Sequence, residues 1–139
     1  MNFASDNTAP MAPAILQALA DANEGTAAAY GADSLTKRLG ETLEACFGRP
    51  CSFALVATGT AANGFALSLA TPPYGQVLCH EASHIILEEG GAPEFYTGGA
   101  KLSGIAGDHG KLNPEGLQAA LDAHPPLPPH VMPRSVLSL

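Results

Sequence analysis

The sequence predicts an α/β fold in which a mostly parallel sheet is flanked by helices. Short apolar segments suited to buried strands occur at residues 53–56, 77–79, 102–106 and 134–139. Segments with helical periodicity lie between them, and a Gly-Thr turn joins the first strand to a helix rich in small residues. Strands that alternate with helices are typical of βαβ units, in which consecutive strands run parallel.

Two helices are predicted ahead of the first strand. Pro13 suits the first turn of one helix, for which Thr8 is a candidate cap. The second helix has Asp33 or Ser34 as its cap and carries apolar residues at three- and four-residue spacing. Gly48 follows the last of them and is a suitable stop, because helices commonly end at a glycine in the left-handed conformation.

The stretch over residues 56–69 predicts a strand end, a tight turn and a helix that opens at Thr60 or Ala61. A helix N-terminus carries unpaired N–H groups and a partial positive charge, so it can bind an anion. Gly59 would let an anion approach the backbone closely, and Thr60 can cap the helix and offer a hydroxyl. Taken alone, the pattern fits an ordinary capped helix equally well.

The downstream half is predicted to complete one edge of the sheet. A helix is expected over about 83–89 and a further short strand at 95–97. Because ligands of open α/β sheets bind outside the carboxyl ends of the strands, the Gly-Thr turn, His84 and the turn after Ala106 should meet at that edge. The chain stops at the end of its last predicted strand, 134–139, and the segment that would follow Leu139 at this edge is absent, so we expect a partial domain.

Composition narrows the classes of function. Apolar residues make up 46% of the 139-residue chain and charged residues 14%, with a net charge of −7. The few basic residues are scattered, which argues against nucleic acid, and no apolar run has the length of a membrane span. The N-terminus has no signal-peptide pattern, so a cytoplasmic location is expected.

Neither the cysteines nor the histidines suggest a metal. Cys46, Cys51 and Cys79 match no zinc or CxxC redox spacing and are expected to be reduced thiols. The histidines near acidic residues lack an HExxH or comparable spacing, so no catalytic metal is predicted.

Six short motifs occur in an order that points to one family. They are Ser5-Asp6-Asn7, Tyr30-Gly31-x-Asp33, Thr58-Gly59-Thr60-x-Ala62-Asn63, Ser83-His84-Ile85, the segment EGGAPE at 89–94 and the segment TGGAKL at 97–102. Together they closely resemble the N-terminal portion of low-specificity L-threonine aldolases. These enzymes belong to the aromatic amino acid β-eliminating lyase/threonine aldolase group of fold-type I pyridoxal 5′-phosphate (PLP) enzymes.

The resemblance extends from residue 3 to residue 139 and implies a domain organisation. Residues 1–24 correspond to an N-terminal arm and helix. Residues 25–139 correspond to part of the PLP-binding large domain, an α/β unit with a mostly parallel sheet that is incomplete at its C-terminal side.

The resemblance also implies roles on the cofactor side of a site. Gly59 and Thr60 match the turn that holds the cofactor phosphate, and His84 matches the histidine that stacks on the pyridine ring. A π face over an electron-poor ring is chemically reasonable. From the residues alone, a histidine that only caps its helix is the alternative for His84.

On the substrate side, the resemblance implies three further residues. Ser5 matches a serine that helps to bind the substrate carboxylate, and Tyr30 matches a tyrosine near the site, approaching from a neighbouring subunit. His130 matches a second catalytic histidine, near the substrate hydroxyl, although a solvated loop histidine is the alternative. The remaining histidines have no matched role and are predicted at the surface: His80, His109 and His124.

The reaction that the resemblance implies is retro-aldol cleavage of L-threonine or L-allo-threonine to glycine and acetaldehyde. In the family, the lysine that forms the Schiff base lies downstream of the position that matches Leu139. Lys37, Lys101 and Lys111 lack its context. The chain alone is therefore expected to be inactive, whereas full-length relatives are expected to be homodimers or homotetramers.

Three alternatives remain open. Another fold-type I PLP lyase, such as a β-eliminating or serine hydroxymethyltransferase-like enzyme, would share the scaffold. A nucleotide-binding α/β module would need a GxGxxG or GxxxxGK turn, and neither occurs. A non-catalytic truncated remnant is the third.

Overall fold

The computed structural model describes residues 8–123 and 129–139, which fall into two compact units, Met1–Ala54 and Leu55–Leu139. The first unit contains helices α1 (Pro13–Ala22) and α2 (Ser34–Phe47). The elements of the second unit are α3 (Gly59–Ala70), β1 (Gln76–His80), α4 (His84–Leu87), α5 (Ala92–Thr97), β2 (Lys101–Ile105), a 3₁₀ turn (Asp108–Gly110), α6 (Pro114–Ala123) and β3 (Arg134–Leu137). The predicted boundary between residues 24 and 25 falls inside the first unit.

In the first unit, local sequence determines where the helices begin and end. The Asp33 side chain caps α2, because its Oδ1 accepts a hydrogen bond from the Thr36 N–H at 2.8 Å. The helix ends at Gly48, whose φ of 65° is the left-handed conformation that glycine adopts without strain. The predicted cap of α1 is wrong: the N-cap is Ala12, not Thr8.

The second unit is built on a parallel sheet with strand order β2-β1-β3. β1 is central, so its residues Val77 and Cys79 are fully buried. Leu67 of α3 and Ile85 of α4 pack with them in the core. The predicted α/β architecture with parallel strands is confirmed, and it is partial in extent.

Two predicted strands are wrong. Residues 53–56 form no strand, and Leu55 is 74% exposed. A strand needs a neighbouring strand for its backbone hydrogen bonds, and apolar side chains do not provide one. Both sides of β1 are already occupied, by β2 and β3. Residues 95–97 belong to α5, in which Pro93 occupies the first turn and left-handed Gly98 ends the helix.

α3 lies very close to α5 at one glycine. A Cβ on Gly64 would be 2.5 Å from Tyr96 Cδ2 and 3.2 Å from Tyr96 Cβ, so only glycine fits without a shift of α5. This small-residue helix therefore packs closely on α5, and it contacts the sheet through Leu67.

Within the described residues, every helix is too short or too polar to cross a membrane.

Candidate functional site

The second unit contains a cavity of about 520 Å³. It lies at the carboxyl ends of β1 and β3, where ligands of open parallel sheets bind. Residues from α3, the β1–α4 connection, the turn after β2 and the end of the chain line it: Asn63, His80, Ser83, His84, Ile85, Gly110, Lys111, Leu112, Ser138 and Leu139.

The start of α3 has the form of an anion site. Thr58, not Thr60, is the cap: its Oγ1 accepts the Ala61 N–H at 3.1 Å, and the helix opens at Gly59. The N–H groups of Gly59 and Thr60 precede this bond and have no intrahelical acceptor. Among the described residues, and apart from the chain neighbours and the backbone of α3 itself, no heavy atom lies within 4 Å of a Cβ placed on Gly59, so the space beside it is open.

One turn further along α3, Asn63 lines the cavity, whereas Gly59 and Thr60 do not. The helix N-terminus is thus one turn from the cavity wall.

His84 lies in the cavity wall and is held by a buried carboxylate. Its Nδ1 is 2.9 Å from Oε1 of Glu89, and the same oxygen accepts a hydrogen bond from Asn63 Nδ2 at 2.6 Å. The Glu89 side chain is 0% exposed, whereas the His84 side chain is 61% exposed. Glu88, which is exposed, lies farther away, with its Oε2 3.8 Å from His84 Nε2. The ring of His84 is therefore anchored at Nδ1 while more than half of its side chain surface stays exposed.

His80 was predicted at the surface, and this is wrong: the residue is 8% exposed. It is the last residue of the central strand and is paired with Ile105 of β2. Its Nδ1 accepts the Ala82 N–H at 2.9 Å, so the ring hydrogen is on Nε2, which donates to the Gly107 carbonyl oxygen at 2.9 Å. This histidine ties the turn after β2 to the end of β1. His109 is exposed, as predicted.

That turn brings Lys111 to the cavity, which the sequence did not predict. Lys111 contributes the cationic side chain among the lining residues. Its backbone is held closely, because a Cβ on Gly107 would lie within clashing distance of the Lys111 carbonyl oxygen. The signal in the sequence that could have identified Lys111 is its position shortly after a predicted strand, because the carboxyl end of that strand faces the site.

The sequence predicted three further site residues. Ser5 lies outside the described residues. Tyr30 belongs to the first unit, where it is fully exposed with a φ of 60°. His130 is exposed in the turn before β3. Gln76, the first residue of β1, donates its N–H to the Pro133 carbonyl oxygen at 2.9 Å. The turn therefore lies near the amino ends of the strands, at the edge of the sheet opposite the cavity.

Among the residues that the structure describes, no three His, Cys, Asp or Glu side chains are grouped as metal ligands. All three cysteines are free thiols. Burial raises the pKa of the Cys79 thiol, which keeps it protonated and unreactive.

The family comparison matches nearly the whole chain. A family model described as "Beta-eliminating lyase" matches residues 2–139. A low specificity L-threonine aldolase of Pseudomonas sp. (strain NCIMB 10558) is 38% identical over 130 residues, which is 91% of this chain and 38% of the relative. One of Pseudomonas aeruginosa is 38% identical over 116 residues, covering 84% of this chain and 34% of the relative.

A solved structure agrees with these relatives. A Leishmania major threonine aldolase superposes with a TM-score of 0.84 at 28% identity, over 96% of this chain and 38% of that one. The chain thus spans less than two fifths of the length of these relatives. The match over residues 2–139, with the parallel sheet and the cavity at its carboxyl edge, identifies this chain as a member of the beta-eliminating lyase family.

Proposed function

We propose that this chain supplies the phosphate-side and ring-side groups of a PLP site in a threonine aldolase-type lyase. The observation that carries the proposal is His84, exposed in the wall of a cavity at the carboxyl edge of the sheet and anchored through Nδ1. The names of the relatives support the aldolase assignment.

The residues present fit PLP. The open space beside Gly59 and the N–H groups at the start of α3 suit a phosphate. The ring of His84 offers a π face, and Lys111 adds a positive charge in the cavity wall. Bound PLP would act as an electron sink for the carbanion that develops at the substrate Cα.

The proposed reaction breaks the Cα–Cβ bond of L-threonine or L-allo-threonine and gives glycine and acetaldehyde. The β-hydroxyl loses its proton as its oxygen becomes the aldehyde carbonyl oxygen, and Cα gains a proton in glycine. We assign ring stacking to His84. The resemblance gives His130 the contact with the substrate hydroxyl, although the turn that carries it lies at the opposite edge of the sheet in this structure. Ser5 would bind the substrate carboxylate, and Tyr30 would enter from a neighbouring subunit of a homo-oligomer. The last three roles rest on the resemblance.

A PLP titration of the chain tests the cofactor assignment. We expect PLP to shift the backbone amide NMR signals of Gly59, Thr60 and His84, and pyridoxal without phosphate to leave Gly59 and Thr60 unshifted. His84→Ala should weaken PLP binding about tenfold, as for one lost stacking contact of about 1.4 kcal/mol. His109→Ala, in an exposed histidine outside the cavity, is the control. Equal binding by the two variants would contradict the stacking role.

We also propose that the chain alone forms no covalent link to PLP. Borohydride reduction followed by peptide mass spectrometry should find no pyridoxyl adduct on Lys37, Lys101 or Lys111. Lys111 is the critical position because it lines the cavity. A specific adduct there would contradict the proposal.

A β-eliminating lyase is the second candidate, favoured by the description of the matching family. Product analysis with threonine, serine, tryptophan and tyrosine as substrates separates the two. Acetaldehyde and glycine from threonine indicate the aldolase, whereas pyruvate and ammonia indicate β-elimination.

A further inference from the structure

We propose that Glu89 is a positioning residue for His84, and that with Asn63 it fixes the imidazole relative to the start of α3. The inference rests on the proposed function, because the position of the His84 ring matters only if the ring stacks on PLP. The hydrogen bonds from which it is argued lie within this chain. The contact that anchors His84 is described above, but the tautomer that Glu89 selects and the link through Asn63 to α3 have not yet been given a role.

The first step is the position of the carboxylate. Glu89 follows α4 by two residues, and its side chain is 0% exposed. Burying an isolated carboxylate is strongly unfavourable unless hydrogen bonds compensate. Oε1 accepts two hydrogen bonds, whereas Oε2 has no partner within the described part of the chain. The hydrogen bonds shown for this carboxylate therefore come from Asn63 and His84.

The second step is the direction of the hydrogen bonds. An ionised carboxylate only accepts, so His84 Nδ1 must carry the hydrogen of this 2.9 Å contact. A neutral ring then has Nε2 as an unprotonated acceptor. The buried carboxylate therefore selects the tautomer of His84 as well as its orientation, which is a known use of such partners.

The third step is the link to α3. Asn63 lies one turn after Gly59 and is separated from Glu89 by 26 residues in the sequence. Its 2.6 Å hydrogen bond joins the carboxylate to the helix whose N-terminus is proposed to bind phosphate. The ring of His84 and the phosphate site are thereby held in one rigid arrangement, as stacking on a phosphate-anchored ring requires.

The tautomer of His84 tests the inference without PLP. With ¹⁵N-labelled histidine at about pH 9, where an ordinary imidazole is neutral, we expect His84 to show a protonated Nδ1 and an unprotonated Nε2. A wild-type chain with the hydrogen on Nε2 of His84 would overturn the proposal. This readout needs no variant, so it stands even if a substitution prevents folding.

Two adjacent glutamates provide matched variants. Glu89→Gln keeps the size and an acceptor oxygen but removes the charge that strengthens the bond, so the Nε2–H tautomer of His84 should increase. Glu88→Gln changes the exposed neighbour and should leave the tautomer unchanged. Equal tautomer populations in the two variants would contradict the role of Glu89, whereas a role in folding alone would move the unfolding midpoint and not the tautomer.

PLP affinity gives the second readout. Glu89→Gln should weaken PLP binding about tenfold and Glu88→Gln less than about twofold, with pyridoxal 5′-phosphate itself as the probe. Equal affinities of the two variants would overturn the positioning role. If the wild-type chain shows the Nδ1–H tautomer but PLP shifts no signals, the proposed function fails while the Glu89–His84 hydrogen bond is supported.

Discussion

At the scale of single residues, His80 and His84 show how position within a fold determines the use of a side chain. Both line the same cavity and lie four residues apart. His80 has both ring nitrogens occupied by backbone groups, so it serves to hold a turn. His84 is anchored through Nδ1 and keeps an exposed ring, so it can contact a ligand.

Gly59→Ala tests the proposed anion site. Nothing lies within 4 Å of the added methyl group, so we expect unchanged or slightly raised stability. The methyl group would occupy the space in which a phosphate approaches the backbone, so PLP binding should weaken about tenfold or more. Urea unfolding and a PLP titration measure the two effects. Full PLP affinity in this variant would exclude Gly59 from the phosphate site.

At the scale of elements, the contact of α3 with α5 is limited by Gly64. Gly64→Ala should destabilise the second unit by about 1–2 kcal/mol, because overpacking of about 1–3 kcal/mol exceeds the helical preference of alanine, at most about 1 kcal/mol. Rotation of the Tyr96 ring cannot relieve this contact, because Tyr96 Cγ lies 2.9 Å from the added atom. The urea midpoint of Gly64→Ala should be lower than that of Gly59→Ala, a change of the same type on the same helix. A higher urea midpoint for Gly64→Ala than for Gly59→Ala would show that α5 shifts to make room for the methyl group.

The cap of α2 predicts a pH dependence. The Thr36 N–H and then its hydroxyl, donating to Asp33, lower the pKa of that carboxyl below its ordinary value. Since the pKa is lower in the folded state, the stabilisation is present above the ordinary carboxyl pKa and is lost as the pH falls through the lowered value. Helical Cα chemical shifts of α2 should therefore decline in that acidic range.

Two variants of Asp33 test whether its carboxyl group causes this pH dependence. Asp33→Ala should reduce the α2 shifts at neutral pH, and its difference from the wild type should shrink on acidification. Asp33→Asn keeps a good capping acceptor without a charge, so its α2 shifts should not follow the same titration. An identical acid transition in Asp33→Asn would show that another group is responsible.

At the scale of the whole molecule, large apolar side chains remain exposed in the second unit. Leu69 of α3 is 74% exposed and Phe95 of α5 is 82% exposed, and β2 and β3 are the two edges of the described sheet. Such edges and patches favour association. The net charge of −7 opposes it at low salt.

We therefore expect the chain alone to self-associate, and to do so more strongly as salt screens its charge. Sedimentation velocity over a range of concentrations measures this, and the double change Leu69→Gln with Phe95→Gln should shift the distribution toward monomer. Thr42→Ser, at an exposed position of α2, keeps the net charge and serves as a control. A monomer at every concentration and salt level would contradict the expectation.

The sequence by itself determined the features that depend on neighbouring residues. The Asp33 cap, the stop at Gly48 and the alternation of parallel strands with helices were predictable, because caps, left-handed glycines and hydrophobic periodicity act within a few residues. The order of the motifs around Gly59 and His84 was sufficient to recognise the family.

Only the tertiary structure decided which distant groups meet. Residues 53–56 are apolar enough for a strand, but a strand needs a neighbour that local sequence does not supply. The burial of His80 follows from its place at the end of the central strand. Asn63 and His84 meet at Glu89 because α3 packs on the sheet. Lys111 reaches the same cavity because the turn after β2 brings it there. Hydrogen bonds between residues far apart in the chain depend on that packing, and no local pattern encodes them.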